Sequence, residues 1–127
     1  MDPVWLGEAV VMAVHGRLLA EHGGAPGIQD PALLDSALAR PQHLVAYGDP
    51  DIYDLAAAYT SGIVRNHPFV DGNKRTGFMA GYVFLASNKL QLTALEADVV
   101  QIVRLLAASE IGEAEYAAWL RENCASA

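Results

Sequence analysis

His67, Asp71, Lys74 and Arg75 lie in one short stretch, His67-Pro68-Phe69-Val70-Asp71-Gly72-Asn73-Lys74-Arg75-Thr76-Gly77, and together they have the makings of a phosphate site. An imidazole with an ordinary pKa near cellular pH can take a proton from a hydroxyl nucleophile, which makes His67 a candidate general base. Asp71 is a candidate ligand for Mg²⁺, an ion commonly held by one or two carboxylates together with phosphates and water. Gly72 permits a tight turn and close approach of the backbone to a ligand. A helix starting near Asn73 has no internal partners for its first N–H groups, and with the positive end of its dipole these form a nest for an anion. Lys74 and Arg75 can add charge-assisted hydrogen bonds to phosphate oxygens. Phe69 is expected to point inward and anchor the loop. These parts suit transfer of a phosphorus-containing group from a nucleotide to a hydroxyl.

Taken singly, each residue has an ordinary explanation. A histidine just past a helix is commonly a cap or surface residue, Asp-Gly is commonly a turn, and Lys-Arg on a first helical turn is commonly solvated. The combination at this spacing is what points to phosphate. Arg65 is a weaker candidate, as an electrostatic helper. His15 and His22 could share a helix face, but no cysteine or further histidine completes a metal set, so packing and surface roles are the simpler reading. His43 is a candidate partner contact. No Gly-x-x-x-x-Gly-Lys-[Ser/Thr] loop is present, and the contexts of serine and cysteine nucleophiles are missing.

The elements that must position these residues read as helices. Apolar spacing from Trp5 to Leu19 predicts a first helix over about Pro3 to Glu21, stopped by Gly23-Gly24. Asp30-Pro31 predicts the cap of a short second helix burying Leu33, Leu34, Ala37 and Leu38. Pro41 to Asp49 breaks the pattern and suggests an extended flap or small hairpin. Asp49-Pro50 repeats the cap-plus-proline start, opening a third helix that runs to about Asn66. The residue before a proline is pushed out of helical geometry, so His67 should sit just past that helix end. A fourth helix starts near Asn73, with Gly77 and Gly81 on one face allowing close approach of a neighbour. Thr93-Ala94-Leu95-Glu96 reads as a capping box for a fifth helix, and a last helix spans about Glu113 to Glu122.

At 127 residues and 53% apolar, the chain is expected to form one domain over 1–127 with a substantial core. Its net charge of −7 argues against direct nucleic-acid or anionic-membrane binding, which needs clustered Lys and Arg. Yet three of its eight cationic residues, Arg65, Lys74 and Arg75, fall close together, as suits a site for a small anion. The single cysteine, Cys124, cannot form an internal disulfide, and a reducing cytoplasm is the expected compartment. The opening Met1-Asp2-Pro3 is acidic, so no signal peptide is expected. The most apolar run, Phe78 to Ser87, is about half the length a bilayer span needs.

At the same residues the chain resembles the Fic/Doc superfamily, and more closely its Doc (death-on-curing) toxin branch. The Fic pattern His-x-Phe-x-[Asp/Glu]-Gly-Asn-Gly-Arg-x-x-Arg is met at His67, Phe69, Asp71, Gly72, Asn73 and Arg75. It fails at Lys74, where Fic enzymes carry glycine, and at Phe78, where they carry a second arginine. Doc-type proteins read Asn-Lys-Arg-Thr there, as Asn73-Lys74-Arg75-Thr76 does, although many have alanine at the position of Gly72. The resemblance extends to Gly24-Ala25-Pro26-Gly27-Ile28-Gln29-Asp30, to Leu34 through Gln42, and to Arg65-Asn66.

The resemblance implies an all-α, Fic-like bundle of about six helices, with the motif between two central helices and Pro41 to Asp49 as a flap aligning the target. In AMP-transferring Fic enzymes the second arginine grips the γ-phosphate of the nucleotide. With Phe78 there instead, the resemblance implies ATP bound in the reverse sense, its γ-phosphate toward His67, and kinase-like activity using ATP and Mg²⁺. His67 would be the base, Asp71 the metal ligand, and Gly72, Asn73, Lys74 and Arg75 the phosphate cradle. The family's known target is a hydroxyl of elongation factor Tu, whose modification arrests translation. Ser109 to Glu113 has the spacing of a Fic inhibitory helix, but Ala114 follows and the paired arginine is absent, so a cap near the last helix is expected. Restraint is expected from a small Phd-like antitoxin with a tail that folds onto the toxin. Two rivals stand beside this reading: a Fic-type AMP transferase, and a catalytically silent module that docks an antitoxin or peptide.

Overall fold

The computed structural model describes residues 2–127; Met1 of the acidic opening lies outside the described residues. Its helices are α1 (Glu8–His22), α2 (Pro31–Tyr47), α3 (Ile52–Asn66), α4 (Asn73–Ser87), α5 (Glu96–Ala107) and α6 (Glu113–Glu122). Two short strands, β1 (Leu90–Leu92) and β2 (Cys124–Ser126), pair antiparallel with Gln91 opposite Ala125. The expected all-α class is what is found.

α3 is the axis. Every residue from Leu55 to Val64 is buried, and a helix that is apolar on all sides is stable only when enclosed. α2, α4 and α6 enclose it. The α3–α4 contact is close because α4 presents glycine: a β-carbon at Gly77 would lie 2.7 Å from Val64 Cγ2 and 3.1 Å from the Thr60 carbonyl oxygen. On the opposite side a β-carbon at Gly62 would come within 3.1 Å of Ala37 Cβ in α2. These approaches fix the end of α3 against the start of α4, which is where His67 and Asn73 sit. Aromatic packing fills the rest: Tyr59 and Phe84 meet with ring centroids 5.0 Å apart, and each such buried side chain contributes roughly 1.5–3 kcal/mol.

The start of α3 is braced by charge. Asp51 is its cap, accepting from the Asp54 N–H at 2.9 Å while the Asp54 carboxylate accepts from the Asp51 N–H at 2.8 Å. Arg121 of α6 pairs with both, at 2.7 and 3.4 Å. Burial works against the Asp51 charge, but the Asp54 N–H and the Arg121 guanidinium outweigh it and hold its carboxyl below the usual range. The brace is therefore complete at neutral pH and is lost only as pH falls through that lowered value.

Several boundaries differ from expectation, each for a local reason. α1 begins at Glu8 rather than Pro3, because Val4 exchanges backbone hydrogen bonds with the Asn88 amide (2.8 and 3.1 Å) and the Leu6 N–H donates to Tyr59 Oη at 3.1 Å. The flap expected at Pro41 to Asp49 is not there: α2 runs through Pro41 to Tyr47, with Pro41 itself buried. Only the link 48–51 lies between α2 and α3. α3 is capped by Asp51, not by Asp49. The Thr93 capping box does not form, since Thr93 Oγ1 donates to the Asn123 carbonyl at 2.9 Å and Leu95 precedes α5 without a side-chain cap. Ser109 does not cap α6; Gly112 precedes that helix, and its N–H donates to Glu115 Oε1 at 3.0 Å. Glu113 instead pairs with Arg40 of α2. No described helix is long and apolar enough to cross a membrane.

Candidate functional site

The loop between α3 and α4 is held from three directions. α3 ends at His67, which has left-handed backbone angles (φ 54°, ψ 52°) and whose N–H donates to the Ile63 carbonyl at 3.1 Å. Histidine is one of the few side chains seen there with any frequency, after asparagine and aspartate. The 24–30 loop is then sewn to the motif. Gln29 N donates to the Pro68 carbonyl at 2.7 Å, Val70 N to the Gly27 carbonyl at 3.0 Å, and Ile28 faces Phe69 in an antiparallel bridge. Phe69 is fully buried, as expected, and ties the loop to the core.

Asn73 closes the loop from the helix side. Its Oδ1 accepts from the Phe69 N–H at 3.0 Å and its Nδ2 donates to the Phe69 carbonyl at 2.9 Å. The side chain is buried at 3% exposure, so the amide clasps the loop. What Asn73 offers a ligand is its backbone N–H. Gly72 takes φ 79°, ψ 20° and provides no side-chain cap. Among the described residues the N–H groups of Asn73, Lys74 and Arg75 are thus left without partners in the first turn.

Asp71 is exposed but held. Its Oδ1 accepts from the Gly72 N–H at 2.9 Å and its Oδ2 from the Ala25 N–H at 3.2 Å. Each oxygen retains a free lone-pair direction, so a Mg²⁺ shared with substrate phosphates and water fits this donor set. Among the described residues no group of three or more His, Cys, Asp or Glu side chains could cage a metal, and His15 and His22 are not brought together. His22 is exposed in the last turn of α1, near Glu21.

A cleft of about 620 Å³ gathers the expected residues: His67, Asp71, Gly72, Asn73, Lys74 and Arg75 all line it. Its other wall is Phe78 with Val99, Val100, Val103 and Arg104 of α5. Arg65 lies elsewhere, in a cleft with Arg40 and Glu113, and donates to the Ile111 carbonyl at 3.3 Å. His43 is exposed on the second half of α2, in a third cleft with Arg40 and Tyr47.

Sequence reasoning left His15 a packing or surface role, and packing is what is found, but its contact with the motif loop was not foreseen. It is 4% exposed, its ring stacks on Phe69 at 3.8 Å between centroids and 11° between planes, and its Nε2 is 2.9 Å from the Asp71 carbonyl oxygen. A carbonyl only accepts, so Nε2 carries the proton. A lone histidine on a helix gives no signal of such a role; the only hint was Val11, one turn earlier on the same inward face. His15→Phe keeps a ring on Phe69 and removes the donor. It is expected to lower stability by about 1–3 kcal/mol through the orphaned Asp71 carbonyl, read as a shift in urea midpoint, with His15→Gln recovering part of the loss.

The geometry sets a loop and a helix start with free N–H groups beside an exposed histidine, and the comparisons say which class of protein carries it. The Fic/DOC family model matches residues 5–85, and the chain belongs to that family. Within the family it falls in the Doc branch. It is 47% identical over 74 residues to "Toxin Doc" of Mycolicibacterium smegmatis, covering 57% of each chain. It is 34% identical over 83 residues to "Protein kinase doc" of Escherichia phage P1, covering 65% of this chain and 66% of that one. The matched stretches thus span less than two thirds of either relative.

Proposed function

We propose that the chain is a Doc-type toxin with protein kinase activity, transferring the γ-phosphate of ATP to a serine or threonine hydroxyl of a translation factor, with elongation factor Tu as the target. The observation that carries this is the convergence of an exposed histidine, three unpartnered N–H groups and the Lys74 and Arg75 side chains on one cleft. The kinase name of the phage relative supports this reading. Phe78 supports it too, since an apolar ring lines the cleft where an AMP-transferring Fic enzyme would have its γ-phosphate arginine.

In this reading His67 accepts the proton of the target hydroxyl as its oxygen attacks the γ-phosphorus. The bond between that phosphorus and the β–γ bridging oxygen breaks, and ADP leaves. The N–H groups at the start of α4, with Lys74 and Arg75, hold the phosphates in line and offset the charge on their oxygens. Mg²⁺ held by Asp71 and the phosphates would supply further charge neutralisation. Restraint would come from a Phd-like antitoxin, and the working compartment would be the cytoplasm.

The test uses ATP labelled at either end of its triphosphate, with purified protein and elongation factor Tu. Label is expected on the factor from γ-labelled ATP only. Label arriving from the α-phosphate instead would replace this reading with nucleotidyl transfer, and no label from either would leave a binding module.

A further inference from the structure

We infer that Arg104, on α5, is a phosphate-binding residue of this cleft, so that α5 and not only the motif faces the ligand. The inference rests on the reading of the cleft as a nucleotide site, and it adds a residue beyond the 5–85 stretch that the family model matches.

Charge pairing is the first observation. On a chain of net charge −7, carboxylates are plentiful, and three of the eight Lys and Arg pair with them. Arg17 pairs with Glu21, Arg40 with Glu113, and Arg121 with Asp51 and Asp54. Among the described residues Lys74, Arg75 and Arg104, like Arg65 and Lys89, have no carboxylate within salt-bridge reach, but these three also line the same cleft. Cations gathered without counter-ions in one concavity raise the local concentration of an anionic ligand.

The second observation is how Arg104 is held. Its Nη2 donates to Gln101 Oε1 at 3.1 Å, a neutral acceptor one turn earlier. That bond steadies the guanidinium without cancelling its charge and leaves most of its five donors free. The third is the surface beside it. Val103 is buried and Val99 and Phe78 half-buried on the same wall, and Val100 is 63% exposed at its rim. An apolar strip next to three cations suits a ligand with a flat apolar part and several phosphates, which is the make-up of a nucleoside triphosphate. Arg104 also lies in the last turn of α5, where a cation is favourable to the helix dipole. That accounts for a positive charge there but not for its place in the cleft, and the two roles predict different results.

The experiment is calorimetric titration of the full chain with MgATP and, separately, with inorganic triphosphate, for the parent, Arg104→Ala, Arg104→Lys and, as a charge control on α1, Arg17→Ala. Arg104→Ala is expected to weaken both ligands about tenfold, the loss of one charge-assisted hydrogen bond. Arg104→Lys should recover part of the affinity, and Arg17→Ala should stay within twofold of the parent. An unchanged Kd for Arg104→Ala, with or without a lowered melting temperature, overturns the inference and leaves only the dipole role. Weaker MgATP binding with unaltered triphosphate binding overturns it as well, because the contact would then be to the nucleoside. A parent that binds MgATP and transfers nothing, with Arg104→Ala weakened, removes the kinase reading and leaves this inference standing. A parent that binds neither ligand removes both.

Discussion

Replacing His67 with asparagine is expected to leave a folded protein that binds ATP and transfers its γ-phosphate at least about 100-fold more slowly, the lower end of what a positioned base supplies. The substitution is chosen for the backbone. His67 sits at φ 54°, and asparagine is among the residues most at ease in that region. The cap survives, because the bond to the Ile63 carbonyl comes from the main chain. Among the described residues the exposed ring accepts and donates no hydrogen bond. Initial rates with γ-labelled ATP, set beside a thermal melt, separate chemistry from folding. A variant that melts like the parent and keeps its rate within threefold would show that some other group takes the proton.

Asn73→Ala should do the opposite, damaging the fold first. The amide satisfies both the N–H and the carbonyl of Phe69, and all of these atoms are buried. Each orphaned buried group costs about 1–3 kcal/mol, so the pair costs on the order of 3 kcal/mol. That is a large part of the roughly 5–15 kcal/mol by which a domain of this kind is stable. Asn73→Asp keeps an acceptor for the Phe69 N–H and loses the donor, so it should fall between alanine and the parent. Urea midpoints check the order. An alanine variant as stable as the parent would mean that the clasp contributes nothing. Any loss of transfer in this series would act through the loop, since the side chain is taken up by the Phe69 backbone.

The motif was legible because its parts are local. The helix end before Pro68, the left-handed Gly72 and the start of α4 all follow from backbone preferences within a few residues. The glycines of α4 were legible as a packing face for the same reason. What escaped depends on distant partners. Pro41 read as a stop, yet Leu34, Ala37, Leu38, Pro41 and Leu44 keep helical spacing straight through it, and the contacts of that face with α3 outweigh the missing N–H. Thr93 had the right spacing for a cap but binds the Asn123 carbonyl, far along the chain. The three-residue strands were too short to show a period. The site divides in the same way. His67, Asp71, Gly72, Lys74 and Arg75 come from one segment, whereas His15 and the α5 wall reach it only through the fold, and no local pattern announces them.

The enclosure of α3 also sets an order of events during synthesis. The motif is complete once residue 77 has left the ribosome, yet α3 still lacks the cover that Tyr116, Ala117 and Leu120 of α6 provide. Until those residues emerge, an apolar helix lies open along one side, and Asp51 and Asp54 await Arg121. The nascent chain therefore carries the motif segment well before it can hold that segment in shape. The cleft can take its shape only after residue 120 has emerged, and a partner that recognises the unfinished face of α3 would meet the protein before then.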